Sequence, residues 1–379
     1  MSLAINEIYQ NQPDKVTNKL NFSKTINSYI KQVFKGKHKK GDIPSVLFDE
    51  TVINLEKAVN EGFGVVEYGE PNYDFQYELK HNVAVFTAFK GHAQNIELVE
   101  ALTDDNGKLR NFNDYQKAVK PITQKYNSLW LEAEYDIAVK ASRGAAQWKE
   151  FERTAELYPN LEYLPSTAGE QREEHKAYYG MIKPITDPVW DTLTPPNGWG
   201  CNCSLRKSRK TPDTNEVATL KPIPGIAGNS GKSGQLFTAN HPYVKNTTPK
   251  ARKSIQNQLE SLEKVHIEKS ALQFASKSLK GKSFQNLDTG NNVSVSMAGV
   301  QRMINAPHKE LNAKNLLVFD LQPALEKSTL KASKKYQGND NKISKIHYLE
   351  VEIKGKSSYL VTNESKGGKW SFYSIVENV

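Results

Sequence analysis

The chain has 379 residues, with 51 Lys+Arg against 42 Asp+Glu for a formal net charge of +9, and two cysteines. That length leaves room for two or three domains, and two cysteines exclude a disulfide framework and fit a reducing compartment. No apolar run approaches the roughly 18 to 20 residues of a membrane span, and the opening MSLAINEIYQNQPDK lacks a signal peptide's basic start and apolar core. The expectation is a soluble, non-secreted protein with no membrane partner.

Residues 1 to about 160 read as mostly helical. A first helical segment, residues 1–70, is divided by the basic cluster Lys35-Gly36-Lys37-His38-Lys39-Lys40-Gly41, an exposed loop, before a helix that begins near Pro44-Ser45. Ala84, Val85, Ala88 and Phe89 form an apolar stripe in a following helix, and Gly91 or Gly107 marks its break. Tyr115, Val119, Ile122, Tyr126, Leu129, Ala133 and Ile137 recur at steps of three and four, one buried helical face that Pro121 should kink near its start. Thr167-Ala168-Gly169-Glu170 has capping-box spacing, which predicts a helix ending at Gly180 with Arg172, His175 and Tyr179 on one face.

Both cysteines fall in Pro195-Pro196-Asn197-Gly198-Trp199-Gly200-Cys201-Asn202-Cys203. The prolines fix two φ angles, Asn-Gly is a strong turn dipeptide, and an extended segment after the turn would put the two thiols on the same side. Such a frame suits a metal or a packed plug. Cys201, Cys203 and His175, with His241 or Asp187 as a fourth ligand, are the right residue types for zinc, but one residue between cysteines is fewer than the common two to four. The spacing therefore favours Trp199 and both cysteines packing under the helix, with Arg172 and His175 bonding the loop's carbonyls. No cofactor is expected, structural zinc being the alternative. Nothing in the spacing demands a Cys–His nucleophile pair.

From Thr211 the composition turns to Pro, Gly, Ser, Asn and Thr, and residues 211–263 read as a linker or extended arm. Gly228 to Ser233 ends in Gly-Lys-Ser but is not a phosphate-binding loop, because that motif needs Gly where Ile226 stands. Residues 264–379 read as a small α+β domain: helices at Gln273–Leu279, Met297–Ala306 and Asn315–Lys327, then strands at His347–Ile353, Tyr359–Glu364 and Trp370–Val376, with a turn at Lys354-Gly355-Lys356. From Lys264 onward there are 18 Lys+Arg against 10 Asp+Glu, so this domain carries eight of the nine net charges. A field of that sign points to an anionic partner such as nucleic acid, or simply to solubility. RNA cleavage needs only a base, an acid and cations around a 2′-hydroxyl, and His308, His347, Thr362, Glu364 and Tyr373 are the candidate catalytic residues, with His347 equally readable as a core histidine.

Arg172, His175 and Gly180, then Asp187-Pro188, Trp190 and the Pro-Pro-x-x-Trp-x-Cys-x-Cys loop with Trp199, Cys201 and Cys203, closely resemble in order and spacing the signature of the phage Mu F-like minor head protein family. The resemblance covers about residues 71–210. It implies a head morphogenesis protein of a phage or prophage, partnered by portal and capsid proteins, located in the virion and the host cytoplasm. The C-terminal order of elements resembles, without a sharp motif, the barnase/EndoU/colicin/RelE-like nuclease domains. That implies a toxin-like effector acting on host RNA; a non-catalytic module touching packaged DNA is the alternative.

Overall fold

The computed structural model describes residues 23–217, 223–226 and 228–379. The fold is α+β, and the chain divides into two compact units: residues 78–259 together with those up to 65, and residues 66–77 together with 260–379.

In the first unit, helix Ser45–Phe63 buries Leu47, Phe48, Val52, Leu55, Ala58 and Val59 at steps of three and four and packs along helix Trp130–Arg153. Gly62 permits the closest approach, since a Cβ there would press on the Val139 carbonyl and lie 2.7 Å from Ser142 Cβ. Helix Tyr73–Glu100 runs through Gly91 without a break. Its missing side chain makes room for Pro44 and Ile43, which a Cβ would meet at 3.3 and 3.4 Å, so this glycine serves packing and not termination. Gly107, at φ +76°, does lie in a turn.

Pro121 lies inside helix Phe112–Gln124, and the next five residues, Lys125–Leu129, form a π-helical segment that leads straight into Trp130–Arg153. Proline offers no N–H to the ladder, and the wider π turn takes up an extra residue. The buried stripe therefore slips by one. Tyr115, Val119 and Tyr126 are fully buried as the periodicity predicts, but Leu129 is 60% exposed and Trp130 only 3%. Ala133 and Ile137 then resume the face below Trp130.

The rest of this unit is a three-stranded antiparallel sheet, order β2-β1-β3, of β1 (Asn160–Leu164), β2 (Ile182–Pro184) and β3 (Ser204–Ser208). Trp148, Leu161, Tyr163, Trp190 and Leu193 form its core. Within residues 211–263, those described between Asn229 and Thr247 are not the free arm their composition predicts, and from Pro249 the chain is already in a long helix. Leu236, Phe237 and Tyr243 are buried, Phe237 stacks on Phe86 at 3.8 Å, and Asn82 Oδ1 accepts the backbone N–H groups of Leu236 and Phe237, both at 2.9 Å. Gly and Pro exclude long regular elements but not packing, and Asn82 supplies the bonds a helix or strand would have given. Gly231, in the stretch that mimics a phosphate-binding loop, packs directly on Trp148. The 30-residue helix Pro249–Ser278 follows.

The second unit holds a six-stranded sheet in the order β4-β5-β9-β8-β7-β6. Its strands are β4 (Ser283–Gln285), β5 (Asn292–Ser294), β6 (Thr329–Lys335), β7 (Ile343–Ile353), β8 (Lys356–Ser365) and β9 (Trp370–Val376). The expected meander, β7 to β9, is antiparallel; β6, which the sequence reading lacks, adds to its edge antiparallel to β7, while β5 joins β9 in parallel. Lys354 at φ +50° and Gly355 at φ +69° make the two-residue turn between β7 and β8, matching the strand twist. Ser296 caps helix Met297–Asn305, accepting Gly299 N at 3.2 Å, and Gly299 lets that helix rest on the Phe372 carbonyl. Helices Leu311–Leu316 and Leu321–Lys327 complete the layer. Their apolar faces meet Leu349, Val351, Leu360 and Phe372 of the sheet. Each fully buried aliphatic side chain here contributes about 1.5–3 kcal/mol.

Candidate functional sites

The predicted helix from Thr167 to Gly180 is a single turn, Glu173–Lys176. Ser166 takes the local bonds instead: its hydroxyl accepts Ala168 N at 3.2 Å and its carbonyl accepts Gln171 Nε2 at 2.9 Å. These side-chain bonds hold residues 166–171 as a loop and leave Arg172 extended at φ −73°, ψ 128°. The arginine still clamps the cysteine loop, its Nη2 donating to the Trp199 carbonyl at 2.6 Å. His175 does not bond a loop carbonyl. Its Nδ1 lies 3.8 Å from Cys201 Sγ and 3.6 Å from Cys203 Sγ.

The elbow itself is packed from both sides. The Pro195–Pro196 bond is cis, and Cys201 N donates to the Gly198 carbonyl at 3.0 Å. Asn197 Nδ2 donates to the Leu193 carbonyl at 2.8 Å and to Tyr163 Oη at 3.0 Å. A Cβ at Gly144 would lie 2.8 Å from the Pro195 carbonyl, and one at Gly198 would lie 2.6 Å from Ile223 and 3.0 Å from Arg172 Nη1. Trp199 is 3% exposed, and Trp190 is fully buried with its Nε1 donating to the Pro184 carbonyl at 2.8 Å.

Beyond the loop, β3 pairs with β1 and carries the chain away. The hydrogen bond from Cys203 holds the Cys201 thiol down to about 4, with His175 helping and burial opposing, and the same bond together with burial pushes Cys203 up. Burial raises the Tyr163 and Tyr179 phenols beside Cys203, and the Tyr179 hydroxyl is buried with no hydrogen-bond partner among the described residues. A cavity of about 220 Å³ opens on the elbow, lined by Arg143, Thr167, Pro196, Cys201, Asn202 and Cys203 among others.

Neither expected fourth ligand reaches the thiols. His241 is fully buried elsewhere, its Nδ1 accepting Tyr243 N at 3.2 Å, and burial with the nearby Lys90 charge pushes it down to about 3. Asp187 Oδ1 accepts Val189 N at 2.9 Å, holding the turn before Trp190.

In the second unit, strand pairing brings His347, Thr362 and Glu364 together. His347 on β7 stands opposite Thr362 on β8 and Ser333 on β6. Its Nε2 is 2.8 Å from Glu364 Oε2, its Nδ1 is 2.7 Å from Ser333 Oγ, and its ring stacks on Trp370 at 3.8 Å with 9° between planes. Burial lowers the His347 pKa, and Glu364 opposes that shift. Lys345 Nζ sits 3.6 Å from the same Glu364 oxygen.

The other two candidates lie apart. His308 Nε2 is 3.0 Å from Ser358 Oγ, and Ser358 pairs with Val351, four residues along β7 from His347 and so roughly 13 Å away at ~3.3 Å per residue. Tyr373 is 40% exposed on the face opposite buried Phe372, with the Arg302 guanidinium 4.5 Å from its ring centre. Sequence reasoning missed Trp370, Ser333 and Lys345, which only strand register brings to His347.

It also missed a basic end of the sheet. Lys335 pairs with Lys345, Lys366 N donates to the Lys342 carbonyl, and Lys369 sits across the turn from Ser365, so five lysines surround the end of the sheet beside Glu364.

The clamped elbow, Arg172 and His175 fall inside a stretch that matches a known family. The family described as Phage Mu protein F like protein matches residues 98–206, within the 71–210 expected, and the chain carries this domain. A second family, Large polyvalent protein-associated domain 3, matches residues 263–373. Among individual relatives, "Putative capsid assembly protein F" of Escherichia phage Mu is 35% identical over 72 residues, 19% of this chain and 16% of that protein. The "Mu-like prophage FluMu F protein" of Haemophilus influenzae is 34% identical over 61 residues, 16% of this chain and 15% of that protein. The chain thus spans about one-sixth of the length of these relatives. No solved structure matches it.

Proposed function

We propose that this is a minor head protein of a phage or prophage, active in head morphogenesis through contacts of its Mu F-like module with portal and capsid proteins. The match over residues 98–206 carries this reading, and the elbow supports it: Arg172 and Asn197 spend their hydrogen bonds on the module itself, as a scaffold requires. The protein would then reside in the virion and, during assembly, in the host cytoplasm. A null in the parent phage or prophage, complemented with the full chain, should lose and regain filled heads in electron micrographs. Normal heads in the null would overturn the assignment.

The C-terminal module is a nucleic-acid binder, facing packaged DNA or host RNA. The observation behind this is the lysine end formed by Lys335, Lys342, Lys345, Lys366 and Lys369. A second reading, a metal-independent ribonuclease, draws on the His347–Glu364 pair beside Lys345. Binding ranks first because His347 is only 4% exposed and both its ring nitrogens already have partners, so neither is free to take a substrate proton.

The full chain should bind DNA and RNA with an affinity that falls steeply with salt, and K335E/K342E/K369E should flatten that dependence. No salt dependence would refute the binder. RNA degradation in EDTA that disappears in E364Q would make the module an enzyme instead.

A further inference from the structure

We propose that His175, Cys201 and Cys203 form a metal site for a zinc-type divalent ion, with three protein ligands and a fourth position facing the cavity. Two thiols and an imidazole are the donor set that borderline-soft ions such as zinc select. Their ligand atoms all lie within 4.8 Å of one another. With Zn–S near 2.3 Å and Zn–N near 2.0–2.1 Å, a tetrahedral centre sets its sulfur and nitrogen ligands about 3.6 Å apart. The observed separations from Nδ1 are 3.8 Å to Cys201 and 3.6 Å to Cys203.

Hydrogen bonding accounts for this arrangement poorly. A single ring nitrogen has one donor or one acceptor site, yet His175 Nδ1 faces two sulfurs at nearly equal distance, as groups do around a shared centre. The close Cys-x-Cys spacing, which argued against metal in the sequence, is no obstacle. The turn closed by Cys201 N on the Gly198 carbonyl aims both sulfurs to one side, and His175 arrives from a separate segment.

The surroundings fit an ion as well. His175 and Cys201 are 2% and 5% exposed, which shields two of the three ligands from bulk solvent. The Tyr179 hydroxyl beside Cys203 is buried with no hydrogen-bond partner among the described residues, a donor left over for a ligating thiolate from outside the coordination sphere. Among the described residues no fourth His, Cys, Asp or Glu joins the cluster, and both cysteines line the cavity of about 220 Å³. The remaining position is therefore left to water or to a small ligand or partner group that enters that cavity.

The test uses the full chain, stripped with a chelator under reducing conditions and titrated with Co²⁺ and then Zn²⁺. Uptake of about one equivalent of Co²⁺, with the visible bands of a tetrahedral thiolate centre and their loss on adding Zn²⁺, is the expected result. Zn²⁺ should also slow alkylation of both cysteines more than tenfold, and EDTA should restore it, a readout that needs no variant. C203S and H175Q should lose the Co²⁺ bands, and D187N should keep them. Added imidazole should shift the bands, and a spectrum indifferent to it would refute the open fourth position. No Co²⁺ uptake, with alkylation unchanged by Zn²⁺, would overturn the site and leave the elbow as a packed plug.

Discussion

His175 in the elbow and His347 on the sheet are both nearly inaccessible to solvent, yet their surroundings differ in kind. His347 is closed on every side: oxygen partners on both nitrogens and an indole stacked on its face. His175 turns one nitrogen toward two sulfurs that themselves border a cavity. A buried histidine with two hydrogen bonds is held as a structural element of its sheet, whereas a ring nitrogen that faces two thiols at an open edge has the surroundings that the proposed metal site requires. Burial alone therefore does not separate a structural histidine from a working one; the chemistry at each ring nitrogen does.

The change that disturbs this contrast most is removal of the indole over His347. Trp370→Ala should cost about 3–5 kcal/mol in chemical denaturation of the C-terminal module. It should also let the His347 pKa rise toward its ordinary value by relieving burial, followed by NMR titration of the ring. An unchanged ring titration would show that the stack does not shield it.

At the elbow, Gly198→Ala places a methyl group against Ile223 and Arg172 and should cost about 1–3 kcal/mol, read as a shift in the denaturant midpoint. Neutrality would mean the loop yields, and the clamp would lose its claim to rigidity.

Glu364→Gln removes the group that favours protonated His347, so the ring pKa should fall further, with a stability loss of about 1 kcal/mol. The sign for acid follows from the folded pKa lying below the unfolded value near 6.5. The unfolded chain binds the extra proton first, so stability declines as pH drops from about 6.5 toward the folded pKa, and E364Q should extend that decline to lower pH. The smallest effect on stability, within about 0.5 kcal/mol, is expected for K335E/K342E/K369E, which should alter only salt-dependent binding.

Regular elements were legible where one local rule governed them. The strands from His347 to Val376 and the Lys354-Gly355 turn followed from alternation and turn chemistry, the helix at Met297 was expected as well, and the structure places them within a few residues. Where two local rules competed, the reading failed. The Thr167-to-Glu170 capping pattern lost to bonds made by Ser166, and the Pro/Gly content after Thr211 concealed Phe237 and Tyr243 as core residues. Site residues were legible by type at the elbow, because a short motif names them. The neighbours of His347 were not, since Ser333 lies on β6, which no sequence pattern marks, and Trp370 reaches the ring only through the register of successive strands.

The widened turn at Lys125–Leu129 acts as a phase shifter. Upstream of it one set of side chains points inward; downstream the inward set starts one residue later, at Trp130. Deleting a single residue within this stretch would let an ordinary α-helix run from Phe112 to Arg153. At about 100° per residue the steps then left between Tyr115 and Trp130 would return both to one face, so the widened turn is what absorbs the extra residue without moving either ring out of the core.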